Sequence, residues 1–169
     1  MRNINSKHNL TMKYFWLLLT LMLMGCSTPL TGRGDTLRLT LNQVRRVLLT
    51  QLQVNGQDTY FLVDTGSGIS LIDKSLANEL GFTFNPTHGQ GKIYGIGGIA
   101  RFMTTSNIRL SYQGQKLRGY RLYTTDLSLL QDFKLPRRYK IAGILGADFF
   151  SRNQAILDFE QGEILLTRR

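Results

Sequence analysis

The sequence predicts a mostly β domain with short helices, closed into a barrel or folded as two layers. Three observations support this prediction. Apolar residues alternate with polar ones or form short runs of strand length, glycine turn signals separate these runs, and no alternation of strands with long helices is visible. Seventeen glycines against three prolines agree with many hairpins. Only two short segments favour helix.

The predicted elements follow one another closely. Leu37, Leu39 and Leu41 alternate with polar residues, which is typical of a half-buried strand. Two β-rich runs between 46 and 63 flank Asn55-Gly56, the pair favoured in type I′ hairpin turns. The next elements are a short helix over 73–82 with Asp73 as N-cap and Gly81 at its end, and a glycine-rich hairpin over 91–102. The last ones are a hairpin about Gln113-Gly114, an irregular or weakly helical stretch over 126–140, a buried strand leading into a short helix over 140–150, and a terminal hairpin about Gln161-Gly162.

Two segments resemble each other. YFLVDTGSGISLI, which begins at Tyr60, and YKIAGILGADFF, which begins at Tyr139, lie about 80 residues apart. Each carries an apolar strand into a glycine turn and then into a helical stretch. The repetition predicts a fold with two similar halves.

Residues 1–25 predict a secretory signal. Arg2, Lys7 and Lys13 precede an apolar run over 14–24, without any acid. The run is short for a membrane span, which needs about 20 residues. The sequence LMGC, which ends at Cys26, resembles a bacterial lipobox, and this resemblance implies cleavage before Cys26 and lipid attachment to its sulfur. An uncleaved signal anchor is the alternative.

The predicted organisation is therefore a signal peptide over 1–25, a lipidated Cys26 with a polar tether over 26–34, and one domain over 35–169. A lipid anchor predicts a periplasm-facing position at a membrane of the bacterial cell envelope, and Ser27 favours the outer membrane. Because Cys26 is the only cysteine, no internal disulfide is possible. The net charge of +10 is spread along the chain, which favours a solvated basic surface over a nucleic-acid site.

Three motifs follow one another along the chain: FLVDTGSGIS over 61–70, YGIGG over 94–98 and IAGILGADFF over 141–150. Together they resemble the retropepsin-type aspartic proteases, single-domain enzymes of the retroviral-protease type. The resemblance covers about 35–169. It implies a closed β-barrel with short helices and a glycine-rich flap hairpin, hydrolysis of peptide bonds in a polypeptide substrate, and no cofactor.

The resemblance also implies roles for the Asp-Thr-Gly turn. Asp64 is expected to polarise the attacking water. Two carboxylates about 3 Å apart cannot both ionise, so such a pair shares a proton and supplies both a base and an acid. Thr65 is expected to brace the turn by hydrogen bonding across the pair. Gly66 allows a close backbone approach, and the amides of Gly66 and Ser67 are expected to donate to the carboxylate.

This chemistry needs two acids, and the chain has one Asp-Thr-Gly. The third motif carries Ala142-Gly143 where an acid is needed. The resemblance therefore implies a homodimer in which each subunit supplies one Asp64.

The hairpin over 91–102 is expected to be the flap that closes over the substrate and excludes water. Gly95, Gly97 and Gly98 give the flap mobility, and Tyr94 is its candidate substrate contact. An ordinary glycine-rich hairpin is the alternative.

Other interpretations stay open at this point. Asp64 could be a turn acid that precedes a helix, and Asp148 could be either a second catalytic acid or a residue at a helix N-terminus. GIGGIA matches a dinucleotide fingerprint, but the strand character of the residues after it argues against the helix that such a motif requires. At the level of function, the alternatives are a non-catalytic peptide-binding envelope lipoprotein and a protease that makes one narrow maturation cleavage.

Overall fold

The protein is described by a computed structural model over residues 36–167, apart from 88, 96, 97 and 119. Strands dominate this part of the chain, which confirms the mostly β prediction. The strands are β1 (Thr36–Thr40), β2 (Asn42–Val44), β3 (Val47–Val54), β4 (Gln57–Val63), β5 (Ser70–Asp73), β6 (Thr83–Phe84), β7 (Gly91–Gly95), β8 (Gly98–Ser106), β9 (Leu110–Tyr112), β10 (Gln115–Lys116), β11 (Leu122–Thr125), β12 (Ile141–Leu145), β13 (Ile156–Asp158) and β14 (Glu163–Thr167).

The strands form two sheets. A three-stranded sheet has the order β1-β14-β13, and a larger sheet has the order β10-β9-β3-β4-β12-β5-β11-β8-β6, with β2 on β3 and β7 on β8. The pairing path of the larger sheet ends at β10 and β6 and does not return on itself within the described residues. The β architecture is thus as expected, but hydrogen bonds between strands do not close it into a ring.

The β3–β4 hairpin forms where the Asn55-Gly56 pair predicts it. Both turn residues have positive φ, 50° and 89°, as a type I′ turn requires. The Asn55 side chain accepts from the amide of Arg109 at 2.9 Å and donates to the carbonyl of Leu80 at 2.8 Å. These bonds hold the hairpin against two other parts of the chain and fix the register of β4, whose Phe61 and Val63 are buried.

The two similar segments meet in the centre of the larger sheet. β4 and β12 pair in parallel, with Val63 opposite Leu145, and β12 pairs antiparallel with β5. The amide of Asp64 donates to the carbonyl of Leu145 at 3.0 Å and continues this pairing beyond the end of β4. The prediction of two related halves agrees with this arrangement, because equivalent strands lie side by side.

The helices are short, as expected. They comprise a 3₁₀ turn over Lys74–Leu76, an α-helix over Ala77–Leu80, a 3₁₀ helix over Ser128–Phe133 and an α-helix over Ala147–Arg152. Asp73 caps the first turn by accepting from the amide of Ser75 at 3.0 Å, and Gly81 ends the following helix with a φ of 67°. Both residues were predicted in these roles.

No helix within the described residues has the length and apolar character needed to cross a membrane. The predicted signal, Cys26 and the tether lie outside the described residues, so these remain predictions.

The core lies between the sheets and the helices. Its largest fully buried side chains include Phe61, Phe149, Leu39 and Ile164, which come from both sheets and from the Ala147–Arg152 helix. Because these helix and sheet residues share one cluster, burial of apolar surface holds the segment after β12 against the strands.

Gly143 is predicted to be essential for the central pairing. A Cβ at this position would lie 2.1 Å from the carbonyl oxygen of Leu71, which is backbone of the adjacent strand. Gly143→Ala should therefore lower the free energy of unfolding by about 2–3 kcal/mol, measured by urea denaturation. Gly68→Ala is the control, because nothing lies within 4 Å of its Cβ position. Equal stabilities of the two variants would contradict this packing.

Candidate active site

Asp64 stands at the carboxyl end of β4, where the buried strand gives way to the Asp-Thr-Gly turn. Its amide is held by the carbonyl of Leu145, and its Oδ1 accepts from the amide of Gly66 at 3.0 Å. The side chain is half-buried. A Cβ on Gly66 would lie 3.1 Å from Oδ1, so glycine gives the carboxylate the closest approach to the turn. The acid is supported by a donor and retains contact with solvent.

Ser67 does not bind the carboxylate as predicted. Its amide donates to the backbone carbonyl of Asp64 at 3.1 Å, and its hydroxyl donates to the carbonyl of Ile69 at 2.8 Å. The Ser67 amide therefore closes the turn by its bond to the Asp64 carbonyl and is not available to the carboxylate. Among the described residues, only the Gly66 amide donates to the carboxylate.

Thr65 is exposed, and its hydroxyl has no hydrogen-bond partner among the described residues. The expected bond across a pair of turns involves a second copy of the chain, so the role of Thr65 remains a prediction. Its exposure leaves the hydroxyl available for such a contact.

A second set of hydrogen bonds joins the turn to the start of the Ala147–Arg152 helix. The amide of Ala147 donates to the carbonyl of Ser67 at 2.7 Å. The hydroxyl of Ser70 accepts from the amide of Gly146 at 3.0 Å and donates to Oδ1 of Asp148 at 2.7 Å. Ser70 is only 1% exposed, so these bonds are shielded from water. They tie the two similar segments together just behind Asp64.

Asp148 has a structural position. It lies in the first turn of the helix, and Oδ1 also accepts from the amide of Phe149 at 2.8 Å. This supports the interpretation of Asp148 as a helix N-terminal acid, because its carboxylate already accepts hydrogen bonds from the Ser70 hydroxyl and the Phe149 amide. Sequence reasoning did not identify Ser70 as its partner, since the two lie 78 positions apart and belong to no shared motif.

The predicted flap is a β-hairpin of β7 and β8, in which Tyr94 pairs with Ile99 and Gly95 with Gly98. Tyr94 is 73% exposed and Ile99 64% exposed, so the hairpin presents an apolar pair to solvent near its tip. Gly98 has a φ of 112°, which favours glycine at the turn. Gly97 lies outside the described residues. Because strand β8 begins at Gly98, the dinucleotide interpretation, which requires a helix, is wrong.

Within the described ranges, no group of three or more His, Cys, Asp or Glu side chains is arranged to hold a metal ion.

The Asp-Thr-Gly turn at the end of β4, beside the parallel partner strand β12, together with the glycine hairpin, defines a retropepsin-like aspartic protease fold. A family model described as aspartyl protease matches residues 50–149, more than half of the chain, and the chain belongs to this family. No curated protein is similar enough in sequence to count as a relative.

Two solved structures with a TM-score of 0.50 are similar to this chain in fold. The EIAV protease in complex with the inhibitor HBY-793 is 20% identical with a TM-score of 0.50, covering 70% of this chain and 98% of that chain. The retroviral protease-like domain of Ddi1 from Leishmania major is 16% identical with a TM-score of 0.50, covering 71% and 87%. A retropepsin-like aspartic protease from Rickettsia conorii is 18% identical with a TM-score of 0.45, covering 78% and 89%.

The Ser70 linkage is predicted to stabilise the turn behind Asp64. Ser70→Ala leaves the Gly146 amide and one Asp148 oxygen without this partner, so the free energy of unfolding should fall by about 2 kcal/mol. A double-mutant cycle with Asp148→Ala measures the coupling, which should exceed about 0.5 kcal/mol. Ser151→Ala, an exposed serine on the same Ala147–Arg152 helix as Asp148, is the control. Additive effects of the two substitutions would show that the bond contributes nothing.

Proposed function

We propose that the protein is an aspartic endopeptidase in which Asp64 activates a water molecule and a second copy of the chain completes the site. The observation that carries this proposal is the placement of Asp64. Its backbone is fixed by Leu145 and its carboxylate by the Gly66 amide, yet the side chain reaches solvent. Membership of the aspartyl protease family supports the reaction class.

The proposed reaction uses two Asp64 carboxylates that share one proton. The ionised carboxylate takes a proton from water as the water oxygen attacks the carbonyl carbon of the peptide bond. The protonated carboxyl gives its proton to the carbonyl oxygen. Collapse of this intermediate breaks the C–N bond as the nitrogen receives a proton, which leaves an acid and an amine. A lone carboxylate with a pKa near 4 would be a weak base at neutral pH and would supply no acid.

The described residues of the second similar segment offer no second acid for this reaction. Asp148 is bound to Ser70 and Phe149. Val63 lies opposite Leu145, so the residue opposite Asp64 in the second similar segment is Gly146, not Ala142 or Gly143 as the sequence suggested, and glycine is no acid. A two-fold axis beside Asp64 would bring in an identical carboxylate without a second gene. The exposed Thr65 hydroxyl would then have a partner.

The edge of the smaller sheet is the proposed contact between the two copies. Within the described residues, β13 pairs only with β14, so its other edge has free backbone donors and acceptors. Ile156 on this strand is 55% exposed and Phe159, just after it, is 67% exposed. The Ala147–Arg152 helix connects β13 to the turn at Asp64. An apolar edge in this position favours pairing with another copy.

The proposed cellular location rests on the predicted leader. We propose that Cys26 carries a lipid and holds the domain at the periplasmic side of an envelope membrane, with the outer membrane favoured. Labelling with radioactive palmitate should mark the full chain and not Cys26→Ser. An unlabelled wild-type protein would overturn the lipid anchor without affecting the proposed reaction.

Asp64→Asn is predicted to abolish peptide cleavage, by about a thousandfold or more, with circular dichroism and stability unchanged. A diverse peptide mixture analysed by mass spectrometry is the suitable substrate, because a protease with one narrow cleavage would leave casein intact. The pH profile should favour acid conditions, where the pair holds one proton.

The control for this test is Asp58→Asn, the same chemical change on an exposed residue of β4. It should retain activity. Cleavage by Asp64→Asn at the wild-type rate would disprove the proposal. Binding of peptides without any cleavage by the wild-type protein would instead support the peptide-binding alternative.

Phe159→Glu is predicted to weaken the dimer by about tenfold or more, because it places a charge in the proposed apolar contact. Analytical ultracentrifugation of the full chain in detergent measures the dissociation constant, and activity should fall in parallel at low protein concentration. Leu129→Glu introduces the same charge at another exposed apolar position and should leave the dimer intact. A dimer that withstands the change at Phe159 would place the interface elsewhere.

A further inference from the structure

The described residues expose three pairs of large apolar side chains. Two pairs belong to the flap and the terminal hairpin, and the third is Leu129, at 79% exposure, and Phe133, at 40%. This third pair lies in the segment 126–140, here called the basic loop. Its sequence contains four bases, Lys134, Arg137, Arg138 and Lys140, and two acids, Asp126 and Asp132.

The start of the basic loop is fixed beside the flap. The hydroxyl of Thr125, the last residue of β11, donates to the carbonyl of Arg101 on flap strand β8 at 2.7 Å. Asp126 forms an ion pair with Lys74 at 3.1 Å and accepts from the amide of Ser128 at 3.0 Å. Hydrogen bonds from Ser128, together with Lys74, lower the pKa of Asp126 to about 2, so this acid stays charged and paired.

The end of the basic loop is fixed to the strand that carries Asp64. The amide of Tyr60 on β4 donates to the carbonyl of Lys140 at 3.0 Å, and the rings of Tyr60 and Tyr139 pack edge to face with centroids 5.0 Å apart. Tyr60 precedes Asp64 by four residues, which is about 13 Å along a strand. The loop therefore lies at a defined distance from the catalytic candidate.

The charges of the loop are only partly compensated. Lys140 lies 2.6 Å from a carboxylate oxygen of Glu79. Lys134, Arg137 and Arg138 are exposed and form no ion pair with any acid whose side chain the structure describes, a set that does not include Asp132. The Arg138 guanidinium lies 4.8 Å from the ring centroid of Tyr139, which holds it near the anchored end of the loop.

A groove of about 410 Å³ runs along three bases of the loop, Lys134, Arg137 and Lys140. Apolar parts of its wall come from Leu130, Leu135 and Ile141, and Lys134 and Arg137 also line it. An apolar wall with basic side chains matches a ligand that carries an acid beside apolar groups.

We propose that the basic loop is an outer substrate subsite that binds acidic side chains of the peptide at Asp64. This inference rests on the proposed function and names its substrate class as acidic peptides. Since an extended chain covers 13 Å in about four residues, the acid should lie about three to five residues from the cleaved bond.

A peptide fits these contacts better than a membrane surface does. The loop begins at the flap strand and ends on β4, so its two attachments belong to the same elements that carry the candidate site. A bilayer against the loop would cover the flap side of the site, where a polypeptide must enter.

The test compares ten-residue peptides with an apolar central pair and either Glu or Gln about four residues away. The full chain is used for cleavage, and Asp64→Asn for binding without turnover. Wild type should cleave and bind the Glu peptide about tenfold better, and the preference should shrink as salt rises from about 0.05 M to about 0.5 M. The combined change Lys134→Ala, Arg137→Ala and Arg138→Ala should bring the preference close to one.

The control removes three other exposed bases, Lys116, Arg118 and Arg152, and has the same net charge as the test variant. It should keep the preference within about twofold. Equal loss in both variants, or cleavage without any preference for Glu, would overturn the subsite while leaving the proposed protease intact. Binding of the Glu peptide that depends on the loop, in a protein that cleaves nothing, would support the subsite and overturn the protease.

A final experiment measures binding of the protein and its triple variant to vesicles that contain anionic lipid. If the triple change in the basic loop abolished vesicle binding but left peptide preference unaltered, the loop would be a membrane contact and the substrate inference would be wrong.

Discussion

The parallel pairing of β4 with β12 is the constraint on which the rest of the structure depends. It places the carboxyl ends of two similar segments side by side, and the hydrogen bond from the Asp64 amide to Leu145 extends the pairing into the turn. Close approach of the neighbouring strand β5 is possible because Gly143 has no side chain to meet the Leu71 carbonyl. The position of Asp64 is thus set by backbone geometry before any side chain contributes.

Side chains then make this arrangement rigid. Ser70 joins the Gly146 amide to the Asp148 carboxylate in a site closed to water, where unpaired polar groups would be costly. The neighbouring turn uses the Ser67 amide to close on the Asp64 carbonyl. The Asp64 carboxylate retains one donor and an open side, so it is positioned without being fully enclosed. The open side of the carboxylate leaves room for the proposed contact with Asp64 of a second copy.

The exposed apolar side chains fall into three separate groups, and each has a different proposed occupant. The flap pair Tyr94 and Ile99 is proposed to contact the substrate, and the edge at Ile156 and Phe159 is proposed to contact a second copy. The basic loop combines Leu129 and Phe133 with exposed bases, for which an acidic peptide is the proposed partner. Exposed apolar patches often mark interaction sites, and we therefore propose a different binding partner for each of the three groups.

Local features of this protein could be predicted from the sequence alone. Asn55-Gly56 marks a type I′ turn, Asp73 a cap and Gly81 a helix end, because these depend on the φ preference or hydrogen bonding of a few adjacent residues. The ordered motifs also indicated the family and singled out Asp64. Contacts between distant positions were decided only by the tertiary structure: Ser70 with Asp148, and Tyr60 with Tyr139. Such contacts depend on which strands become neighbours, and no local pattern encodes the pairing of segments about 80 residues apart.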